Sequence, residues 1–223
     1  AIPILLGGFG VGGSSATIVK AIEWAAHEGA HVISMSLGID FPGYVKYLVK
    51  EGGLKTEPAT SMALEGYRAN INIFSQVAEL IRQQDTLIVA ASGNESRRPR
   101  YEIAVAPPAA GTGIIAVGAL GETDNGFGVA YFSNNQVDIS GPGVGIVSAS
   151  PGGKLASMSG TSMATPHVAG VAALWAQHQL ERIGRVEHLR LLSQLLASGT
   201  TVSLDVAIEE ESVGMGIVQA PLR

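Results

Sequence analysis

The chain has 223 residues, of which 46% are hydrophobic and 15% charged, and this composition predicts one globular domain rather than a disordered chain. Its formal net charge of −5 argues against nucleic acid or an anionic membrane surface as the main partner, and no apolar run approaches the roughly 18 residues of a membrane span. The absence of cysteine excludes disulfides, thiolate nucleophiles and cysteine-based metal sites.

The chain opens with an apolar, strand-like run, Ile2–Leu6, and a glycine-rich loop. The glycines Gly8, Gly10 and Gly13 match the G-x-G-x-x-G fingerprint of dinucleotide-binding folds, so a dinucleotide-dependent oxidoreductase is one hypothesis. Asp40 is the candidate ribose-binding acid, but it follows Gly13 by 27 residues, whereas about 20 is usual. Because a chain rarely starts inside a strand, we also expect that residues precede Ala1.

Helix and strand patterns alternate through the first half of the chain. A helix is expected over Ser14–His27, capped by Ser14 or Ser15 and ended by Gly29. The segment Gly38–Pro58 is predicted to be irregular, and Ala59–Gln84 to be helical. Buried strands are predicted at His31–Leu37, Thr86–Ala91 and Ile114–Leu120. This alternation predicts an α/β fold with a mostly parallel sheet.

The second half contains shorter strands and two helices. The strands are predicted at Val129–Phe132, Val137–Ile139 and Ile146–Ala149. A strong helix is expected over about Thr161–Gln179, and a shorter one near Val186–Ala197. Because neither a repeat nor a linker is evident, the whole of residues 1–223 is expected to form one domain.

Four segments are candidates for a functional site. Ligands bind at the carboxyl ends of parallel strands, where Ser36-Leu37-Gly38, Ser92-Gly93-Asn94 and the glycine stretch after Leu6 are placed. The fourth segment, Gly160-Thr161-Ser162, begins a helix whose free N–H groups could stabilise an oxyanion if Ser162 attacked a carbonyl. An ordinary helix cap explains the same serine, and the motif alone leaves both interpretations open.

The segment GTSMATPHVAG (Gly160–Gly170) resembles the nucleophile motif of the subtilisin-like serine proteases residue for residue. AIEWAAHEGAHVISMSLG (Ala21–Gly38) resembles a helix and the substrate-binding strand of that family. Further similar segments are LIVAASGNES (Leu87–Ser96), IIAVGAL, YFSNNQVDISGPGVGIVSA and GMGIVQA (Gly214–Ala220). They occur in the family's order between about residues 1 and 220.

The resemblance implies a three-layer α/β/α serine endopeptidase that acts on peptide or protein substrates and needs no cofactor for its chemistry. Ser162 would be the nucleophile, and Asn94 would donate to the oxyanion beside the backbone N–H of Ser162. The residues expected to line the substrate cleft are Ser36, Leu37, Gly38, Ala91, Ser92 and Gly93. No metal ligand is predicted; structural calcium is common in the family, but many segments that would hold it are absent.

The family's aspartate and histidine motifs, D-[ST]-G and H-G-T-H, do not occur in this chain. His167 lies five residues after Ser162 on one helix and would point about 140° away from it. The remaining histidines are expected to be remote from Ser162: His27, His31, His178 and His188. We therefore expect an N-terminally incomplete catalytic domain that is inactive alone. A non-catalytic peptide-binding relative is the alternative.

Residues 39–66 are predicted to be an insertion, because the family joins the flanking strands by a shorter helical connection. Such a segment could shape substrate choice, mediate self-association, or be a neutral surface elaboration. The residues do not specify a compartment; members of the family are often secreted, and this chain shows no signal peptide.

Overall fold

The computed structural model describes residues 14–205 and 209–222. The predicted strand Ile2–Leu6 and the glycines Gly8, Gly10 and Gly13 lie outside the described residues, so these predictions are not tested by the structure. Within the described residues the helices are α1 (Ser15–His27), α2 (Phe41–Lys50), α3 (Thr56–Arg82), α4 (Thr161–Ile183), α5 (His188–Ala197) and α6 (Glu210–Val213). The strands are β1 (Val32–Met35), β2 (Leu87–Ala91), β3 (Ile114–Thr123), β4 (Gly126–Val129), β5 (Ile139–Pro142), β6 (Ile146–Ser150) and β7 (Lys154–Met158).

The central sheet is mostly parallel, as the sequence predicted. Strands β1, β2 and β3 pair in parallel in that order, and β5 pairs in parallel with β3. Strand β4 is the exception, because it folds back against the end of β3 as an antiparallel hairpin. Met35 of β1 lies opposite Ala90 of β2, so these two strands end side by side at the same edge of the sheet.

Helices cover both faces of the sheet. In β2, Leu87 and Val89 pack into one core cluster with Val168 of α4 and Leu191 of α5. The alternate residues of β2 pack on the opposite face; these are Ile88 and Ala90, in a cluster with Ile22 of α1 and Phe74 of α3. Successive side chains of a strand point to opposite faces, so a strand that is buried on both sides reads as a continuous apolar run. The architecture is therefore three-layer α/β/α.

Helix α1 forms where its sequence predicts it. The side chain of Ser14 accepts a hydrogen bond from the backbone N–H of Thr17 at 3.2 Å, which identifies Ser14 as the N-cap. Gly29 follows the helix with φ of 80°, a conformation that suits glycine because it has no Cβ.

The segment predicted to be irregular contains helix α2, so that prediction was wrong. Asp40 caps the helix, since its Oδ1 accepts from the N–H of Gly43 at 2.7 Å. Pro42 suggests a break in the sequence, but it lies in the first turn, where its missing N–H has no helical acceptor to lose. Leu48 of α2 is buried against Ala59 and Ala63 of α3. The two helices therefore form a packed pair.

Several boundaries in the second half also differ from the predictions. Strand β4 ends at Val129, where a strand was expected to begin, and β5 begins at Ile139, where one was expected to end. Val137 leaves the sheet because its N–H donates to the carbonyl of Glu211 at 3.2 Å. Strand β7 was not predicted; it pairs antiparallel with β6 and leads into α4. Helix α6 was not predicted either.

Candidate active site

Three predicted segments meet at the carboxyl edge of the sheet. Ser36 follows β1 and Ser92 follows β2, which end side by side. The amino end of α4 reaches both segments. The hydroxyl of Ser36 donates to the carbonyl of Ser162 at 2.8 Å, and the N–H of Gly93 donates to Oγ1 of Thr161 at 3.3 Å. The structure thus brings the sequence-predicted residues together.

The first turn of α4 leaves one backbone donor free. The N–H of Thr161 donates to Oδ1 of Asn94 at 2.9 Å, and those of Met163 and Ala164 point to the carbonyl of Gly160 at 3.0 and 3.4 Å. Among the described residues, the N–H of Ser162 has no acceptor. A helix N-terminus carries partial positive charge, so this N–H is suited to bind an anionic oxygen next to the half-buried Ser162.

Asn94 supplies a second free donor beside the first. Its Oδ1 accepts from both the N–H and the hydroxyl of Thr161, at 2.9 and 3.1 Å. Because a backbone N–H can only donate, the amide oxygen of Asn94 must face it, and Nδ2 points the other way. Within the described part of the chain Nδ2 has no acceptor. A Cβ built on Gly160 would lie 3.6 Å from Oδ1 of Asn94 and 3.7 Å from the backbone nitrogen of Ser162. The carboxamide of Asn94 and the N–H of Ser162 are therefore both next to Gly160.

A proline explains the contact between Ser36 and Ser162. In an α-helix the carbonyl of Ser162 would accept from the N–H of residue 166, but Pro166 has none. The hydroxyl of Ser36 donates to this free carbonyl instead. Ser36 therefore ties the first turn of α4 to the end of β1.

A buried asparagine that the sequence analysis missed organises the loop after β2. Asn134 is fully buried, and its Oδ1 accepts from the N–H groups of Glu95 and Ser96, both at 3.1 Å. Its Nδ2 donates to the carbonyls of Ser92 and Ala104, both at 3.2 Å, and so joins this loop to the next segment. The polar string SNN after Phe132 was the available signal, but its partners lie about 40 residues earlier in the chain.

Glu95 extends the same network to Asn94. Its Oε2 accepts from Nδ2 of Asn134 at 2.7 Å and from the backbone N–H of Asn94 at 3.0 Å. Gly93 leaves room for this arrangement, since a Cβ at that position would collide with Asn134 and Glu95, and its φ of 114° favours glycine. The backbone that carries the Asn94 side chain is therefore held by a buried carboxamide and a carboxylate.

The two predicted walls of the cleft differ in their free backbone groups. Ser36, Leu37 and Gly38 make no backbone hydrogen bond to another described residue. By contrast Ala91, Ser92 and Gly93 are buried. The N–H of Ser92 donates to the carbonyl of Val117, and the carbonyl of Ser92 accepts from the N–H of Ala106 and from Nδ2 of Asn134. The N–H of Gly93 donates to Oγ1 of Thr161, and the carbonyl of Gly93 accepts from the N–H of Asn134. As far as the described residues show, Ser36, Leu37 and Gly38 can therefore pair with a peptide backbone without losing an internal bond, whereas Ser92 and Gly93 cannot.

Two histidines, His167 and His188, have ring contacts that do not involve Ser162. His167 directs Nδ1 to the carbonyl of Met163 at 2.8 Å, one turn back along α4. His188 is buried at the opposite end of the sheet, with Nδ1 3.0 Å from the carbonyl of Thr86, and burial lowers the pKa of its imidazole. Among the described residues, no hydrogen bond joins a histidine to the hydroxyl of Ser162.

The described residues contain no group of three or more histidine, aspartate or glutamate side chains that could hold a metal ion. Over the same residues, no helix combines the length and the apolar character that crossing a bilayer requires.

Ser162 lies in the first turn of a helix, at the carboxyl edge of a parallel sheet and near two N–H donors that have no acceptor among the described residues. This arrangement is typical of serine hydrolases. Comparison with known families identifies the class. The sequence model of the subtilase family matches residues 5–216, and the chain belongs to this family.

Individual relatives agree with this assignment. This chain is 35% identical to the M-protease of Shouchella clausii over 165 residues. The match covers 74% of this chain and 34% of the M-protease. The chain is 34% identical to subtilisin Savinase of Lederbergia lenta over the same share of the chain and 49% of that protein. The chain thus spans about a third to a half of the length of these curated relatives.

Solved structures show the same fold. Sphericase superposes with a TM-score of 0.69 and 26% identity, covering 94% of this chain and 64% of that one. The patellamide maturation protease PatA superposes with a TM-score of 0.65 and 28% identity, covering 92% of this chain and 66% of that one.

Proposed function

We propose that the protein containing this chain is a serine endopeptidase and that Ser162 is its nucleophile. The observation that carries the proposal is the position of Ser162 near two hydrogen-bond donors, its own N–H and Nδ2 of Asn94, for which the described residues provide no acceptor. In peptide hydrolysis the serine oxygen attacks the carbonyl carbon, and negative charge develops on the carbonyl oxygen. Two fixed donors at that point stabilise the transition state.

The oxyanion site is preorganised in the absence of substrate. Thr161 fixes the orientation of the Asn94 carboxamide, and Glu95 and Asn134 fix the backbone that carries it. Donors that are already in place need no reorganisation when charge develops, which is the main source of their catalytic effect.

The substrate in this proposal is an extended peptide. Its backbone pairs with the free backbone groups of Ser36, Leu37 and Gly38, as a strand added to a sheet edge. Ala91, Ser92 and Gly93 form the opposite wall through surface contact rather than through backbone hydrogen bonds. The reaction requires no cofactor, and any calcium would have a structural role.

A serine hydroxyl needs a base to take its proton, and that base must itself be oriented. Since no described histidine contacts Ser162, we propose that the histidine and the aspartate come from residues outside these 223. The 223-residue chain alone is then inactive, whereas the protein that contains it is active.

Peptide hydrolysis tests this proposal. The protein containing this chain and the 223-residue chain are incubated separately with an unstructured protein such as casein, and new amino termini are counted. Cleavage by the larger protein only is the expected result. Peptide binding without cleavage by either would favour the non-catalytic alternative. The subtilase match extends over Gly8, Gly10 and Gly13 and so favours the protease over the dinucleotide hypothesis, and titration with NAD without a thermal shift is the expected result.

A further inference from the structure

A surface pocket of about 450 Å³ lies on the turn that follows the candidate active-site loop. It is lined by three arginines, a proline and two tyrosines: Arg97, Arg98, Pro99, Arg100, Tyr101 and Tyr131. No other stretch of four residues in the chain contains three basic side chains. In a chain with a formal net charge of −5, this turn is a local concentration of positive charge.

Backbone hydrogen bonds close the turn that carries the arginines. The N–H of Arg97 donates to the carbonyl of Tyr101 at 3.0 Å, and the N–H of Arg100 donates to the carbonyl of Arg97 at 2.8 Å. The N–H of Arg98 donates to the carbonyl of Tyr131 at 2.9 Å, which fastens the turn to the segment after β4. The backbone around the pocket is therefore already ordered, and a ligand does not have to order it.

The three arginines differ in the partners of their guanidinium groups. Arg98 is engaged, because its Nη2 lies 2.9 Å from Oε2 of Glu102 and 3.0 Å from the hydroxyl of Ser212. Arg97 donates only through Nη1, and only to backbone carbonyls. The exposed side chain of Arg100 has neither a hydrogen bond nor an ion pair to a described residue. Within the described part of the chain, two of the three positive charges therefore have no counter-ion.

The carboxylates of adjoining segments do not neutralise these two guanidinium groups. Glu102 pairs with Arg98, and Oε2 of Glu95 accepts from Nδ2 of Asn134 and from the N–H of Asn94. The carboxylates of helix α6 form no ion pair with a described residue, although Ser212 of that helix contacts Arg98. The pocket is thus suited to an anionic ligand from outside the described residues.

The pocket lies next to the candidate oxyanion site. Nη1 of Arg97 donates to the carbonyl of Asn94 at 2.8 Å, so this guanidinium contacts the residue whose Nδ2 is the proposed oxyanion donor. An extended peptide covers at most about 3.6 Å per residue. A side chain that is a few residues away from the attacked carbonyl is therefore within reach of the arginines.

We infer that this arginine pocket is a second recognition site for the peptide substrate, and that it binds a glutamate or aspartate side chain within about four residues of the cleaved bond. A guanidinium presents its donors in a planar fork that matches a carboxylate. The rings of Tyr101 and Tyr131, which are 50% and 62% exposed, offer apolar surface to the methylene groups of glutamate. A nucleic acid is the weaker match, because two uncompensated charges neutralise few phosphates and the chain as a whole is acidic. The inference rests on the proposed function, which supplies the peptide.

Peptide binding tests the inference without requiring hydrolysis. The protein containing this chain, in its Ser162→Ala form, is titrated by fluorescence anisotropy with three unstructured peptides that are identical except for central glutamate, glutamine or lysine residues. The glutamate peptide is expected to bind at least about fivefold more tightly than the glutamine peptide at low salt, and added salt should reduce this difference. Arg100→Glu places a carboxylate in the pocket and is expected to weaken binding of the glutamate peptide about tenfold, with little effect on the glutamine peptide.

Arg190→Glu is the matched control, because Arg190 is exposed and lies on α5, two residues after His188 at the opposite end of the sheet. Arg100 is exposed too, so its substitution is compatible with folding, and Arg100→Gln is a second variant that removes the charge without reversing it. The expected loss for Arg100→Gln is about threefold.

Several results would overturn the inference. They are the absence of peptide binding, equal affinities for the glutamate and glutamine peptides, and equal effects of the Arg100 and Arg190 substitutions. Tighter binding of a single-stranded oligonucleotide would assign the pocket to nucleic acid, and displacement of the glutamate peptide by equimolar inorganic phosphate would assign it to free anions. A glutamate preference that depends on Arg100, in a protein that never hydrolyses peptides, would overturn the proposed function alone.

Discussion

At the scale of single residues, the proposed function gives Asn94 two separate tasks. Its Oδ1 is fixed by Thr161, while Nδ2, which has no acceptor among the described residues, would donate to a substrate oxygen. A carboxamide held in this way has its oxygen directed at Thr161 and its Nδ2 directed away from it. The assignment of Asn94 as an oxyanion donor therefore depends on the orientation of its side chain.

Asn94→Ala removes this donor and is expected to lower kcat by about 10²–10³ with little change in KM. That magnitude is the one known for a subtilisin asparagine and is carried over from it. The measurement is steady-state hydrolysis by the protein containing this chain. Asn125→Ala, at an exposed turn, is the control and should leave kcat unchanged. An increase in KM with kcat unchanged would contradict the assignment.

His188 makes the stability of the fold depend on pH. Burial lowers the pKa of its imidazole below the value of about 6.5 in the unfolded chain, so the unfolded state binds more protons as the pH falls. The free energy of unfolding should therefore decrease as the pH drops below about 6.5. Denaturant unfolding between pH 5 and 8 measures it. His188→Gln should flatten this dependence, and His27→Gln, at an exposed position, should not.

The sequence motifs were sufficient to select Ser162 and Asn94 as candidates, but not to find Asn134. Its carboxamide acts on groups about 40 residues earlier in the chain, and only the packed fold brings them together. A buried polar residue is recognised by its partners, which the local sequence does not contain.

At the scale of elements, helix α4 carries the proposed nucleophile and is anchored at its first turn. Pro166 frees the carbonyl of Ser162, and Ser36 at the end of β1 donates to it. The position of Ser162 relative to the cleft wall therefore depends on a contact between a helix and a strand that are more than a hundred residues apart in the chain.

Ser36→Ala is expected to lower the free energy of unfolding by about 0.5–1.5 kcal/mol, the usual net value of a hydrogen bond. Denaturant unfolding of the chain measures it. Ser34→Ala, also exposed and within β1, is the matched control and should change stability by less than about 0.5 kcal/mol. Equal effects of the two substitutions would show that the Ser36 contact does not contribute.

Elements with a strong pattern were predicted well, and those that depend on context were not. Strands β2 and β3 appear as apolar runs because both of their faces are buried. Helix α2 was missed because Pro42 and Gly43 resemble a turn, although Asp40 caps the helix and its buried face packs on α3. Local propensity was outweighed by capping and tertiary packing.

At the scale of the whole molecule, the candidate site combines three segments that are remote in sequence. The parallel pairing of β1 with β2 places Ser36 and Asn94 at one edge, and α4 crosses the sheet so that its amino end reaches the same edge. The general rule for parallel sheets predicted that Ser36 and Asn94 would lie at this edge. That Ser162 joins them was implied by the family resemblance and not by the rule.

The central claim is that Ser162 is an activated nucleophile in the protein that contains this chain. A fluorophosphonate probe, which reacts with activated serines, tests it most directly when the labelled residue is mapped by mass spectrometry. We expect one adduct, at Ser162, in the folded larger protein, and none in its Ser162→Ala form or in the 223-residue chain alone. A folded larger protein that remains unlabelled, or that is labelled at another serine, would contradict the claim.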